Sequence, residues 1–293
     1  MRRRLTLNQQ RAVQGILFIF PWLLGFAVFI AKPFVDSFII SFNTVDMMAG
    51  FSLKFVGWQN YVEAFTIDAN FVPTLLRTVR DMSVNVPVIL VFALFTAFLT
   101  NQKLVGRAFF RGVFFLPVVI ASGLVVEQLF KQGAGTLGGA SDTLSALNLP
   151  GLVTMYLGPF ADTVNSLLSR INLVLWSSGI QILLFLSGLQ GISSTQYEAA
   201  RCDGATDWEM FWKITLPNLT PILLVTIIYS IVDSFTDKMN PMLNLIKNYA
   251  FTGQFRLGYA AAAGWVYFAI IFAIIMVVVG SSRWWVFYSG SRD

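Results

Sequence analysis

The sequence predicts an all-α polytopic membrane protein with six transmembrane helices, both termini in the cytoplasm, and a cytoplasmic helix-turn-helix loop between spans four and five. Composition is the first reason. Of the 293 residues, 56% are apolar and only 12% are charged, with a mean hydropathy of +0.69, whereas soluble domains carry about 25% charge. The second is that six segments approach the roughly 20 apolar residues that a helix needs to cross a bilayer. The third is a polar, helix-prone loop between two of these segments.

The six predicted spans follow the runs of apolar residues. The first is long and carries Lys32, Pro33 and Asp36 toward its outer end, where a lysine can extend to the headgroups. The last continues into the sequence RWWVFY, which is typical of an interfacial aromatic belt. The predicted spans are about 14–42, 83–99, 113–130, 173–189, 219–235 and 260–279.

The distribution of Lys and Arg predicts the orientation. Segments 1–13, 101–112, 191–217 and 281–293 together hold eleven basic residues, including the three consecutive arginines near the start. The intervening segments on the other side hold eight over a greater length. Short loops rich in Lys and Arg stay in the cytoplasm, so both termini and the loop at 191–217 are predicted to be cytoplasmic.

Composition also excludes several function classes. The chain has no histidine and a single cysteine, Cys202, which argues against histidine acid-base catalysis, disulfides and Cys/His zinc sites. It has no GxxxxGK[ST] phosphate loop. We therefore expect no catalysis, no metal and no cofactor in this chain. The net charge of +5 bears on topology, and no nucleic-acid partner is expected.

The loop at 195–217 carries two helix-start signatures separated by a glycine. Thr195 and Glu198 have the spacing of a capping box, as do Thr206 and Glu209. Gly204 lies between them, where a helix typically stops in a left-handed conformation. The sequence predicts a helix, a glycine turn and a second helix. An alternative stays open, in which Glu198 is only a cap and the aromatic residues of the second helix merely pack on the bundle.

The second predicted helix contains Met210, Phe211, Trp212 and Ile214. Two prolines follow it, and the sequence predicts that they mark the junction with the fifth span. They are Pro217 and Pro221.

The loop resembles the EAA loop of bacterial ABC-importer permeases. The resemblance rests on Glu198-Ala199-Ala200, on Gly204, and on Ile214-Thr215-Leu216-Pro217 at the family's spacing. The sequences FVGWQNYVEAF (55–65), FFRGVFFLPVVI (109–120) and AAAGWVYFAIIFAIIMVVV (261–279) also resemble sugar permeases. The likeness covers nearly the whole chain. It is closest to the maltose-type carbohydrate class, particularly Gram-positive permeases for complex oligosaccharides.

The resemblance implies a permease subunit in the bacterial cytoplasmic membrane that forms half of an oligosaccharide pathway. The implied partners are a second homologous permease, two ABC ATPase subunits that bind ATP and magnesium, and an extracytoplasmic solute-binding protein. The implied organisation is an N-terminal tail, first span and external segment at 1–70, then the importer transmembrane domain at 71–290. The loop would couple transport to ATP hydrolysis through Glu198, Ala199, Ala200, Arg201, Asp203 and Gly204.

Polar residues within spans are costly and are functional candidates. Asp233 lies one helical turn before Asp237, toward the predicted outer part of span five. In the permeases that the chain resembles, this stretch lines the sugar pathway. The predicted pathway residues are Asn85, Tyr229, Asp233, Phe235, Asp237 and Trp265. For the amides of Asn85 and Gln181, helix-to-helix hydrogen bonding is the alternative, and for each aromatic residue it is ordinary packing.

Two other function classes fit a polytopic protein. A self-sufficient secondary transporter or channel for a small polar solute would ordinarily show coupling charges or internal repeats, and we find no convincing repeat. A membrane enzyme is disfavoured by the missing histidines. Co-purification of an ATPase subunit distinguishes a permease subunit from both.

Overall fold

The structure, a computed structural model, describes residues 7–46, 52–101, 174–175, 177–237, 240–252 and 255–287. This part of the chain is mostly helical, with one antiparallel pair of short strands. The predicted third span at 113–130 lies outside the described residues. In chain order the elements are α1 (Leu7–Phe26), π1 (Ala27–Ala31), α2 (Lys32–Ser41), β1 (Asn43–Asp46), β2 (Ser52–Phe55), α3 (Gln59–Thr66), α4 (Phe71–Asn101), α5 (Gly179–Gly191), α6 (Ser194–Cys202), α7 (Asp207–Met210), π2 (Phe211–Thr215), α8 (Leu216–Thr236), α9 (Pro241–Phe251) and α10 (Leu257–Trp285).

Four helical stretches among the described residues are long and apolar enough to cross a membrane. They overlap the predicted first, second, fifth and sixth spans, while α5 overlaps the predicted fourth span and is shorter. The total of six spans stays a prediction. The four stretches are Gln14–Ser41, Phe71–Asn101, Asp207–Phe251 and Leu257–Trp285.

Each of the two π-helical segments in the described part of the chain ends two residues before a proline. Pro33 follows π1 and Pro217 follows π2. A proline has no backbone N–H to donate to the carbonyl four residues earlier, and a π turn, with its hydrogen bonds over five residues, accommodates that loss. Pro217 lies at the start of α8, at the junction with span five that the sequence predicts, whereas Pro221 does not mark this junction. The chain stays helical from α7 through α8, and Pro221 lies inside α8.

The chain divides into two compact units, Met1–Thr78 with Thr236–Phe272, and Val79–Phe235 with Ala273–Asp293. We call them the first and second units. The second has an apolar core of buried side chains from α4, α5 and α8. These residues are Ala93, Ala97, Ile182, Phe185, Leu186, Leu189 and Leu219.

In the first unit, Asn60 of α3 holds the end of α2 and the start of β1. Its Nδ2 donates to the carbonyl oxygens of Ser41, at 2.8 Å, and Asn43, at 3.1 Å. The Asn43 carbonyl also lies against Gly258 at the start of α10. A Cβ at position 258 would lie 1.8 Å from that oxygen. The two backbones therefore meet at a distance that only glycine permits.

Asp68 joins three helices of the first unit. Its Oδ1 accepts the backbone N–H groups of Asn70 and Phe71 at the start of α4, at 2.8 and 3.3 Å. Its Oδ2 accepts the hydroxyls of Tyr249 and Tyr259, both at 2.5 Å. Although burial alone raises the pKa of the Asp68 carboxyl, these hydrogen bonds outweigh burial and hold that pKa below its ordinary value of 3.8.

An ion pair supports the same region. Arg256 donates from one guanidinium nitrogen to both carboxylate oxygens of Glu63, at 2.6 Å each, and lies 4.4 Å from the ring centre of Tyr259. These contacts join α3 to the beginning of α10. The sequence did not predict them.

Replacing Asp68 by asparagine is expected to lower the thermal stability of the purified chain and to reduce its acid sensitivity. A carboxyl whose folded-state pKa is depressed stabilises the fold above its unfolded pKa. That contribution is lost as the pH falls below 3.8 through the lower folded-state pKa. Melting temperatures measured from neutral pH into this range should therefore fall more steeply for wild type than for Asp68→Asn. Asp203→Asn, at an exposed carboxylate, is the control. If the melting temperature falls equally steeply with pH in wild type and in Asp68→Asn, the pKa of Asp68 is not depressed in the folded state.

Candidate functional site

The first helix of the loop begins two residues earlier than the sequence indicated. Ser193 is the N-cap of α6, and its Oγ accepts the backbone N–H of Thr195 at 3.3 Å. The predicted capping box of Thr195 and Glu198 is therefore wrong. Ser193 has an extended backbone, as an N-cap requires, whereas Thr195 already lies in the first turn.

The turn between the two loop helices agrees with the prediction. Gly204 has a φ of +80°, the left-handed conformation in which a residue with a Cβ is strained. The N–H of Ala205 donates to the carbonyl of Ala200 at 2.9 Å, which closes the end of α6. The second capping box is also confirmed. The N–H of Thr206 donates to Glu209 at 3.0 Å, and the N–H of Glu209 donates to the Thr206 hydroxyl at 3.3 Å.

Two polar contacts brace α6 against the helix that continues into α8. The hydroxyls of Tyr197 and Thr215 lie 2.8 Å apart, and Asn218 donates to the Gln196 side chain at 3.1 Å. Because α7, π2 and α8 follow one another without a break, these contacts connect α6 to the candidate span through a continuous helix. This arrangement is suited to a mechanical link between the loop and the span.

The surface of α6 and its turn is open. Ala200 is half-buried, and the other five predicted coupling residues are exposed. Beyond them, Trp208 and Trp212 are 69% and 47% exposed. The Trp208 ring stacks on Phe211, and the Trp212 ring meets both of them edge to face, yet the two tryptophans leave much of their surface uncovered. A solvated connection has no need for such an apolar surface, which is typical of a contact region.

The predicted pathway residues occupy different environments. In the second unit, Tyr229 and Asp233 are half-buried one turn apart on the same face of α8, and Asn85 on α4 is half-buried. Phe235 is 1% exposed and packs inside that unit. In the first unit, Asp237 is exposed at the end of α8.

The ring of Trp265 belongs to an aromatic cluster of the first unit. Its centre lies 4.6 Å from that of Phe34, 4.8 Å from that of Phe38 and 5.6 Å from that of Phe268. The contacts tie α10 to α2. Packing therefore accounts for much of the surface of this tryptophan.

The second unit contains a buried polar pair, of which sequence reasoning identified Gln181 but missed its partner Ser230. Gln181 on α5 is 1% exposed, and its Nε2 donates to the Ser230 hydroxyl on α8 at 3.2 Å. The Oε1 atom of Gln181 is buried and has no hydrogen-bond partner among the described residues. A polar side chain in an apolar run was the available signal for Gln181, but no local pattern indicated Ser230 as its partner.

Comparison with known proteins shows one family. The family described as "Binding-protein-dependent transport system inner membrane component" matches residues 69–288. The chain is 30% identical to the probable ABC transporter permease protein YesP of Bacillus subtilis, over 95% of this chain and 93% of that one. It is also 30% identical to the arabinooligosaccharides transport system permease protein AraP of Halalkalibacterium halodurans, over 78% of this chain and 70% of that one.

The fold is similar to that of a solved transporter. A chain of the bacterial alginate ABC transporter, crystallised in complex with an alginate pentasaccharide-bound periplasmic protein, superposes with a TM-score of 0.62 at 17% identity. The match covers 94% of this chain and 95% of that one. The resemblance to ABC-importer permeases found in the sequence is thereby confirmed. This chain belongs to the family of binding-protein-dependent transport system inner membrane components.

Proposed function

We propose that this permease imports an oligosaccharide across the bacterial cytoplasmic membrane as one of two homologous permease subunits. Two ABC ATPase subunits bind and hydrolyse ATP on the cytoplasmic side, and an extracytoplasmic solute-binding protein delivers the sugar. The name of the Halalkalibacterium halodurans relative, an arabinooligosaccharide permease, supports the substrate class.

The observation that carries this proposal is the exposed α6 with its rigid connection to α8. Small side chains at Ala199 and Ala200 allow close approach of a partner. Glu198, Arg201 and Asp203 supply charges at the rim of the same surface. The braces from α6 to Thr215 and Asn218 convert a movement of the ATPase into a movement of the span.

Coupling requires that the membrane helices have two arrangements. Nucleotide binding by the ATPase must favour one of them through contacts that differ between the two. The chain supplies no hydrolytic chemistry in this scheme. Its own residues bind the partner at α6, turn the chain at Gly204 and transmit the displacement through α7 and π2. The π turn at π2 lies at the point where the loop joins the span, and π turns are frequent at functional sites.

On the pathway, we propose that Asp233 and Tyr229 contact the sugar, with Asn85, Phe235, Asp237 and Trp265 along the route. A carboxylate and a phenol one turn apart suit hydroxyl recognition, since a carboxylate accepts hydrogen bonds and an aromatic ring offers an apolar face.

Replacing Asp233 by alanine is expected to lower oligosaccharide uptake about ten-fold, because a hydrogen bond to a charged group is worth roughly 1.5–3 kcal/mol. Basal ATP hydrolysis should stay near the wild-type rate. The measurement compares uptake and ATP hydrolysis in vesicles that contain both permeases, the ATPase and the binding protein. Val232→Ala, next to Asp233 on α8, is the control. An equal loss of both activities in Asp233→Ala would show a structural role and would remove this residue from the pathway.

A further inference from the structure

An apolar groove lies in the first unit between α2 on one side and α9 and α10 on the other. Its volume is about 780 Å³, within the range of roughly 300–1,000 Å³ for ligand pockets. Small residues of α10, Ala260, Ala261 and Gly264, form one wall. A Cβ at position 264 would meet nothing within 4 Å, so this wall is open to an occupant.

Two opposite charges line the groove. Lys32 and Asp36 lie one turn apart on α2, and both side chains are exposed. In the described part of the chain neither has an ion-pair or hydrogen-bond partner, in keeping with the lysine-before-acid order, which is the less favourable one for a pair within a helix. Charges in a membrane-crossing helix are costly unless something compensates them.

The length of the first candidate span fixes the depth of these charges. Its 28 residues extend about 42 Å at 1.5 Å per residue, whereas the hydrocarbon core is about 30 Å thick. The excess of about 12 Å, eight residues, extends into the headgroup region. Because the two charged residues of this span, Lys32 and Asp36, lie toward its Ser41 end, the excess lies at that end. Asp36 is then among the headgroups and Lys32 is about 6 Å deeper, at the edge of the hydrocarbon. The aromatic cluster around Trp265 is typical of that depth.

We propose that this groove binds one phospholipid with a zwitterionic, primary-amine headgroup. Lys32 Nζ binds the phosphate and the Asp36 carboxylate binds the ammonium, while an acyl chain lies along the small-residue wall and Phe268. In such a lipid the phosphate is nearer the hydrocarbon and the amine farther out. Along α2, Lys32 likewise lies nearer the hydrocarbon and Asp36 farther out. This match of charge and depth identifies the occupant.

The same two charges disfavour other lipids. An anionic headgroup would meet repulsion from Asp36, and a choline headgroup has no N–H to donate to the carboxylate. The proposal does not depend on the identity of the transported solute.

The test measures lipid retained by the full-length chain in nanodiscs that contain equal parts of phosphatidylethanolamine, phosphatidylcholine and phosphatidylglycerol. After detergent extraction, native mass spectrometry should find one phosphatidylethanolamine per chain. Asp36→Asn is expected to lower the preference for this lipid about five-fold, as expected for an ion pair worth about 1 kcal/mol. Lys54→Gln, on β2 outside the groove, should retain it.

The double variant Lys32→Asp with Asp36→Lys is the sharper test, because it keeps the composition and net charge but reverses the order of the charges. It should lose the preference for phosphatidylethanolamine while it keeps the wild-type melting temperature. Equal lipid preference in wild type and the double variant would overturn the proposal. So would retention of no lipid. Cross-linking of a Ser37→Cys variant to the second permease in the assembled transporter would also overturn it, since a protein would then fill the groove.

Discussion

Replacing Ala199 by aspartate is expected to abolish the stimulation of ATP hydrolysis by the loaded binding protein, while the chain still reaches the membrane at its normal level. Ala199 is exposed on α6, so the carboxylate stays solvated in the isolated chain. In the proposed contact with the ATPase it would be buried without a partner. Overpacking alone costs about 1–3 kcal/mol, and an unpaired buried charge adds to that.

The measurement is stimulated ATP hydrolysis in reconstituted vesicles, beside a pull-down of the ATPase. We expect a loss of about ten-fold or more in stimulation or in association. Ser194→Asp is the matched control, because it places the same charge at the first residue of α6, where the helix dipole stabilises it. If Ala199→Asp leaves both stimulation and association intact, α6 is not the coupling element.

Replacing Gly258 by alanine is expected to lower the melting temperature of the purified chain well below that of the wild type. The added methyl group would lie 1.8 Å from the carbonyl oxygen of Asn43, far inside van der Waals contact. That oxygen cannot move alone, since Asn60 binds both it and the carbonyl of Ser41. We expect the free energy of unfolding to fall by at least the roughly 1–3 kcal/mol of ordinary overpacking.

Thermal unfolding of the purified chain in detergent, followed by fluorescence, measures this effect. Gly280→Ala is the control on the same helix, where an added Cβ meets nothing within 4 Å. Alanine is also the better helix former by about 1 kcal/mol, so the control should match or exceed wild type. Equal melting temperatures for both variants would show that α10 and β1 do not meet at this close distance.

The features that the sequence by itself determined are local or repetitive. A run of apolar residues indicates a span because the bilayer imposes its thickness on any segment. The left-handed turn at Gly204 and the capping box at Thr206 involve residues only a few positions apart, and both are present. The cap at Ser193 in place of Thr195 shows the limit of such patterns, since two hydroxyl residues near a helix start offer alternatives that backbone conformation decides.

Only the tertiary structure decided which distant residues meet. Asp68 accepts the hydroxyl of Tyr249 across 181 positions, and Glu63 pairs with Arg256 across 193. No periodicity or spacing encodes such pairs, because they depend on how separate helices pack. The same holds for the groove that brings Lys32 and Asp36 opposite the small residues of α10. Local hydrogen bonds and hydropathy act along the chain, whereas these contacts exist only once the helices have come together.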